Sequence, residues 1–125
     1  MGQGLRNLEI YRLSLQVSEQ GWQIFQTLPK QFQFSIGEQF LSSCDSIGAN
    51  IAEGYGRFHY KDKIRFYYNA RGSLWEAKHW LLLLWKRNFI TQQLFETMLQ
   101  DLEDLGKKLN NFIQKTGKKN VANDQ

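Results

Sequence analysis

Apolar residues recur along this chain at the three- and four-residue spacing of one face of an α-helix, in four separate segments. The first segment ends at Pro29, the only proline, because the residue before a proline is disfavoured in helical geometry. No segment shows the strict apolar and polar alternation of a half-buried strand. The pattern therefore predicts an all-α fold. The inward positions of the first helix are Ile10, Leu13, Val17, Ile24 and Leu28.

Two further helices follow a polar link. The second begins at Ser35, whose hydroxyl is predicted to cap it. The third runs from about residue 60 to 87, and its apolar residues repeat every seven positions, as in the seam of a helical bundle. The inward positions of the second are Ile36, Phe40, Cys44, Ile47, Ile51 and Tyr55, and those of the third are Tyr67, Ala70, Leu74, Ala77, Leu81 and Leu84.

Thr91 is predicted to cap a fourth helix whose apolar spacing fades near Lys115 and Gly117. Short links between helices of similar length favour antiparallel neighbours, so we expect an up-down-up-down antiparallel four-helix bundle. Residues 1–114 form this single domain, and residues 115–125 are predicted to be a basic, flexible tail. The inward positions of the fourth helix are Leu94, Met98, Leu102, Leu105, Leu109 and Phe112.

The third helix carries more large apolar side chains than its seam can use. A helix that is apolar nearly all round is usually buried all round, and the surplus would otherwise form a large exposed patch. We therefore expect copies of the chain to associate through this helix. The alternative is that the first and fourth helices cover it completely. The predicted interface residues are Phe66, Trp75, Trp80 and Leu83.

Composition narrows the class of protein. The chain has 125 residues, of which 42% are hydrophobic and 22% charged, enough apolar mass for one folded domain. Its one cysteine, Cys44, excludes an internal disulfide and argues against a thiolate metal cage. No apolar run approaches the roughly 18 residues of a membrane span. We expect a cytoplasmic protein that makes no membrane contact.

Positive charge is concentrated in the third helix and at the chain end. The net charge is +4, and residues 58–88 hold seven Lys or Arg against two Asp or Glu. The antiparallel topology brings the N-terminus, the junction between the second and third helices, and the tail to one end of the bundle. We call this end the basic pole; its candidate nucleic-acid ligands are Arg57, His59, Lys61, Lys63, Arg65, Lys115, Lys118 and Lys119.

The run from residue 46 to 57 reads SIGANIAEGYGR and resembles the S-I-x-x-N-I-A-E-G-x-G-R signature of the four helix bundle protein family. This family includes proteins encoded in intervening sequences of bacterial 23S ribosomal RNA genes, also called S23 ribosomal proteins. The blocks RFY at 65–67 and ARGSLWE at 70–76 are similar to the family as well, and the resemblance covers about residues 5–114. Gly48 stands where the family often has proline.

The resemblance implies a ring-shaped homo-oligomer, usually a pentamer. It also implies a remote kinship with accessory proteins of diversity-generating retroelements, which bind a reverse transcriptase and nucleic acid. Trp75 and Trp80 are bulkier than is usual in the family, which bears on the subunit count. The family provides no catalytic residue to carry over to this chain.

Polar residues of the signature form a stripe beside the apolar face of the second helix, and the third helix carries a similar line. Two such lines facing each other would form a buried hydrogen-bond network that fixes helix register. Gly54, Gly56 and Gly72 are expected to allow close backbone approach or the turn. The alternative is a small-ligand or metal site around two of the glutamates. The predicted network consists of Ser46, Asn50, Glu53, Arg71, Ser73 and Glu76.

The sequence gives little support for a catalytic site or a metal site. Glu76 and His79 have the E-x-x-H spacing of di-iron bundles, but the motif occurs once and the only other histidine, His59, lies at a helix junction. Cys44 falls on an apolar stripe and is interpreted as a core side chain. No nucleophile elbow or phosphate-binding glycine loop is present. We expect a protein that is not an enzyme and needs no cofactor.

The cations of the basic pole alternate with aromatic residues. Cations can contact phosphates while rings stack on unpaired bases, so we expect RNA or DNA binding that is weakly sequence-specific and salt-sensitive. One alternative is a structural or adaptor oligomer that binds a protein such as a reverse transcriptase. The other is a solvated helix end whose rings belong to the core. The interleaved aromatic residues are Phe58, Tyr60, Phe66, Tyr67 and Tyr68.

Overall fold

The computed structural model describes residues 3–124, with side chains for residues 4–120. Every element in that range is helical, which confirms the all-α prediction. Four long helices account for most of the chain. The elements are α1 (Gln3–Asn7), α2 (Glu9–Thr27), α3 (Lys30–Phe32) with a π-helical turn (Gln33–Gly37), α4 (Glu38–Gly56), α5 (Tyr60–Lys86) and α6 (Gln92–Asp124).

The four long helices form a bundle in which sequential neighbours run in opposite directions. The junctions at residues 57–59 and 87–91 are short, so each helix folds back on the one before it. Contacts between α6 and its two neighbours also pair residues in opposite order along the chain. These contacts are Glu9 with Lys108 and Gln20 with Asp101 from α2, and Tyr67 with Phe112 and Trp85 with Phe95 from α5.

The core follows the predicted seam. Both sets of seven-residue repeats on α5 are buried, as are the central apolar positions of α2, α4 and α6. Four predicted core positions differ: Leu13 and Phe112 are only half-buried, and Tyr55 and Leu94 are each 38% exposed. Tyr55 lies in the last turn of α4 and Leu94 in the first turn of α6, so both exposed positions are at helix ends.

The predicted polar link before the second helix is itself helical, and Ser35 does not cap it. Helical structure starts at Lys30, directly after Pro29, and continues through the π turn to the end of α4. The Ser35 hydroxyl donates to the carbonyl of Phe32 at 3.3 Å, inside this continuous helix. Proline is well suited to a helix start because its φ is already fixed near the helical value.

The predicted start of the fourth helix is confirmed, whereas its predicted end is wrong. The Thr91 hydroxyl accepts the backbone N–H of Leu94 at 3.1 Å, as an N-cap does. α6 does not fade near Lys115 but continues to Asp124. At Gly117 this helix passes close to the hydroxyl of Tyr60 on α5. The predicted flexibility of residues 115–125 stays a prediction, and Gln125 lies outside the described residues.

Glycine permits close helix approach at only one of the three predicted positions. A methyl group added at Gly54 would lie 2.6 Å from Cε1 of Tyr67 and 3.0 Å from the carbonyl oxygen of Lys63. One added at Gly56 or Gly72 would meet nothing within 4 Å, and neither glycine has a positive φ. Gly54 therefore brings α4 and α5 together, while Gly56 and Gly72 lie on open surface.

Tyr67 is the largest fully buried side chain. It is 2% exposed, packs edge-on against Phe112 with ring centroids 5.1 Å apart, and lies against Gly54. Burial, aided by the nearby Tyr55, raises the pKa of the Tyr67 phenol to about 12. The folded protein therefore holds this proton more tightly than the unfolded chain does.

The Gly54 contact predicts opposite effects for two glycine-to-alanine substitutions in helices. Gly54→Ala forces a methyl group into the ring of Tyr67 and should lower the free energy of unfolding by about 1–3 kcal/mol. Gly106→Ala places its methyl group 3.6 Å from Leu74, an ordinary contact, and should raise it by about 0.5–1 kcal/mol through improved helix propensity. Urea unfolding followed by circular dichroism measures both; equal stability of the two variants would contradict the contact.

The raised pKa of Tyr67 predicts a loss of stability in alkali. The unfolded chain ionises this phenol from about pH 10, its ordinary pKa, whereas the folded protein retains the proton until about pH 12. The stabilisation is thus complete below pH 10 and is lost as the pH rises through that window. Between pH 9 and pH 11.5, the free energy of unfolding measured with urea should fall less for Tyr67→Phe than for the parent. Tyr68→Phe, at an exposed position, is the control and should keep the parent's loss.

Candidate nucleic-acid interface

The basic pole forms where the α4–α5 junction meets the last turns of α6. Tyr60, the first residue of α5, lies with its hydroxyl 3.1 Å from the position a Cβ would take on Gly117 of α6. α6 has 33 residues and α5 has 27. Residues 118–124 therefore continue the helix about 10 Å past the level at which α5 begins. The bundle topology thus brings the junction and the chain end together, as predicted.

An open cavity of about 660 Å³ lies in this corner, and we call it the aromatic cavity. Five rings form most of its wall, and three lysines and two neutral polar side chains complete it. Its walls come from the last turn of α4, the junction, the first two turns of α5 and the end of α6. Its lining residues are Tyr55, Phe58, Tyr60, Lys63, Tyr67, Phe112, Lys115, Thr116, Lys119 and Asn120.

Lys63 is a structural cation of the cavity wall. Its ammonium donates to the carbonyl of Tyr55 at 2.9 Å and to that of Gly54 at 3.4 Å, and so caps the end of α4. Cations at a helix C-terminus also interact favourably with the helix dipole. Burial lowers the pKa of Lys63. Of the predicted nucleic-acid ligands, this one is already engaged by backbone oxygens.

Arg57 and Arg65 lie on the ring of Phe66. Their guanidinium carbons lie 4.7 Å and 4.6 Å from the ring centroid. Arg57 also pairs with Glu53 at 3.1 Å, and Arg65 pairs with Asp62 at 3.6 Å. Both pairs are exposed and weak, so the arginines keep most of their positive field. Phe66 contacts both cations and lies outside the aromatic cavity.

The remaining cations of the pole form no salt bridge among the side chains described, residues 4–120. Lys115 and Lys119 line the aromatic cavity one helical turn apart, while His59, Lys61 and Lys118 are exposed outside its lining. The structure therefore brings together three of the eight predicted ligands around one concave surface.

The predicted aromatic residues of the pole have different surroundings. Phe58 is 91% exposed at the junction, and Tyr60 lies across the cavity from α6. Tyr67 is part of the core, and Tyr68 lies outside the cavity near Arg71, 5.9 Å from the guanidinium carbon.

Sequence reasoning missed four residues of the cavity. It placed Tyr55 and Phe112 in the core and assigned no role to Thr116 or Asn120. Their place in the sequence could have indicated this, because Tyr55 and Phe112 are each the last residue of an apolar stripe. The continuation of α6 past Lys115, which exposes this wall, has no such signal in the apolar spacing.

The predicted polar network does not form within one chain. The Ser46 hydroxyl donates to the carbonyl of Ser42 and the Asn50 amide to that of Ser46, so both bond within α4. Glu53 pairs with Arg57 on the same helix. Arg71, Ser73 and Glu76 make no side-chain hydrogen bond to α4 among the described residues. The reason is that apolar seam residues fill the α4–α5 contact, which leaves both polar lines beside it and partly or fully exposed.

The outward face of α5 is partly covered by its own chain. Trp85 stacks on Phe95 of α6 at 4.5 Å, and Trp80 and Leu83 are half-buried against the core. Trp75 is 60% exposed, with the ammonium of Lys78 4.3 Å from its ring centroid. The exposed apolar surface of α5 is therefore smaller than the sequence predicts, although Trp75 remains exposed. Assembly of copies stays a prediction.

Groups relevant to catalysis and metals are dispersed. Glu76 and His79 are both exposed on α5, and no group of three or more His, Cys, Asp or Glu could hold a metal ion within residues 3–124. Cys44 is fully buried, and burial raises the pKa of its thiol. None of the described helices combines the length and hydropathy needed to cross a membrane.

Comparison with known proteins identifies the family. Residues 6–111 match the family model of the 23S rRNA-intervening sequence protein. A crystal structure of a protein of unknown function from the S23 ribosomal protein family, from Bacteroides thetaiotaomicron, is 28% identical with a TM-score of 0.78. The match covers 83% of this chain and 97% of that one. No curated protein matches. Because the family model matches residues 6–111 of the 125, the chain belongs to the 23S rRNA-intervening sequence protein family.

Proposed function

We propose that this protein binds nucleic acid through the basic pole and has no enzymatic activity. The observation that carries the proposal is the aromatic cavity, where Lys115 and Lys119 border a concave surface built mainly of rings. Exposed lysines bind phosphates as point charges, and rings provide stacking surfaces for bases. Few other ligands combine dense negative charge with flat apolar rings.

The charges around the cavity support a polyanionic ligand. Lys61 and Lys118 add exposed charge beside it, and Arg57 and Arg65 are only weakly neutralised by their carboxylate partners. Such contacts release counterions from the nucleic acid, so binding weakens steeply with salt. Since these cations contact backbone rather than base edges, the binding is weakly sequence-specific.

We further propose that the bundle assembles as a cyclic homo-oligomer, a pentamer as the family resemblance implies. The outward face of α5 supports this, since Trp75 and Leu82 are exposed and Gly72, one turn before Trp75, leaves open space. A ring repeats the basic pole once per subunit on one of its faces. Several modest sites on one face act together on a single polyanion.

A second candidate function is that of an adaptor for a protein partner such as a reverse transcriptase. The observation that favours it is the number of exposed large apolar side chains away from the basic pole, among them Trp22 and Phe34. Both candidate functions place the protein in the cytoplasm. The two candidates differ in one measurable property: only the first requires nucleic-acid affinity that depends on the basic pole.

Charge reversal at the basic pole should weaken nucleic-acid binding. Lys115→Glu combined with Lys119→Glu is expected to lower the affinity for a fluorescent mixed-sequence 20-nucleotide RNA or DNA by at least about tenfold, and to reduce the slope of log affinity against log salt by about two. Fluorescence anisotropy at several salt concentrations measures both. Lys30→Glu combined with Lys86→Glu changes the charge equally at the opposite pole and should have little effect. Equal losses in the two double variants would refute the assignment of the site.

Disruption of the α5 face should dissociate the assembly. Sedimentation velocity at micromolar concentration is expected to show a particle several times heavier than the 14.8 kDa chain, and Trp75→Glu should shift it toward the single chain. Leu94→Glu introduces the same charge at an exposed apolar position of α6 and should leave the particle intact. A parent protein that sediments as one chain would rule out the ring.

A further inference from the structure

We propose that the aromatic cavity receives one unpaired nucleotide, so that the ligand is a single strand rather than a duplex. This inference rests on the proposed function and specifies its substrate class. The volume of about 660 Å³ lies within the range of about 300–1,000 Å³ typical of small-molecule sites. A base that stays paired and stacked in a duplex cannot enter such a recess, whereas a single strand can turn a base into it.

The rings are placed for stacking on an inserted base. Phe58 is almost fully exposed at the junction, and its ring meets that of His59 edge-on, with ring centroids 5.2 Å apart. Tyr55 and Tyr60 come from the helices on either side of this junction, and Phe112 faces them from α6. An exposed phenylalanine is unfavourable in water, and a stacked base would cover it.

The cations are placed for the backbone on either side of that base. Lys115 and Lys119 are one turn apart on α6, which puts their Cβ atoms about 6 Å from each other along the cavity rim. Side chains as long as lysine can reach the phosphates that flank one nucleotide. Lys63 is held by the carbonyls of Gly54 and Tyr55 and shapes the wall. Because Lys63 is engaged in this way, the two exposed α6 lysines are the ligands for the phosphates.

The hydrogen-bonding groups on the cavity wall do not impose one donor and acceptor pattern on the base edge, because the hydroxyls of Tyr55, Tyr60 and Tyr67 can each donate or accept. The Thr116 hydroxyl donates to the carbonyl of Phe112, and Asn120 contributes a side-chain amide at the rim. One amide can bond to any of the four bases by reversing its donor and acceptor ends. The cavity therefore distinguishes unpaired from paired nucleotides much better than it distinguishes one base from another.

The test compares single strands with duplexes at equal length and salt. The parent protein should bind a 20-nucleotide single strand of RNA or DNA at least about tenfold more tightly than the matching duplex. A strand of the same length made of abasic residues should lose this preference. Parallel RNA and DNA arms show whether the 2′-hydroxyl contributes.

Variants assign the preference to the cavity. Phe58→Ala is expected to lower single-strand affinity about tenfold while it leaves duplex affinity and the salt slope unchanged, and Phe58→Trp should retain the affinity. Tyr68→Ala removes an exposed ring outside the cavity and is the matched control. Salt-sensitive binding with no single-strand preference and no effect of Phe58→Ala would overturn this inference but keep the proposed function. Absence of any salt-sensitive binding would overturn both.

Discussion

The contact of Tyr67 with Gly54 and Phe112 joins three helices at the end of the molecule that carries the site. The ring comes from the α5 seam, lies against α4 where only a glycine fits, and receives the edge of a ring from α6. The position of the α4–α5 junction follows from this packing, because the helices separate two residues after Gly54. The same ring forms part of the aromatic cavity. Core packing and the shape of the site are therefore set by one side chain, and a mutation there would change both.

Charge at the basic pole is controlled in two different ways. Lys63 is bound to the carbonyls at the end of α4, and the two arginines are held on Phe66 with a carboxylate beside each. Lys115, Lys118 and Lys119 lie on a part of α6 that few other elements contact, and they extend into solvent. The fixed cations maintain a positive field and the shape of the wall, whereas the α6 lysines can adjust to a ligand. Adjustable charges on a rigid surface suit a polymer whose backbone is regular and whose bases vary.

Much of the fold could be predicted from the sequence because the seam of α5 is a strict repeat: Tyr67, Leu74 and Leu81 are all buried as expected. Helix ends are harder to predict, since Ser35 and Lys115 look like boundaries by residue type, yet helical structure already begins at Lys30 and α6 continues to Asp124. At the site, the gathering of Lys63, Lys115 and Lys119 follows from topology alone. The cavity does not, because Tyr55 and Phe112 belong to apolar stripes, and only the relative lengths of α4, α5 and α6 decide that these two rings face a recess.

The π-helical turn at Gln33–Gly37 changes the direction in which side chains point along the helix that precedes the site. Phe32, Ile36, Phe40 and Cys44 repeat at intervals of four, which is longer than the 3.6 residues of an α-helical turn, so in a regular helix they would drift around the axis. One wider turn takes up the drift and keeps Ile36, Phe40 and Cys44 on the inner side. The rotational setting of everything downstream, including the orientation in which Gly54 meets its partner ring, is thus established five turns earlier, at the opposite end of the bundle.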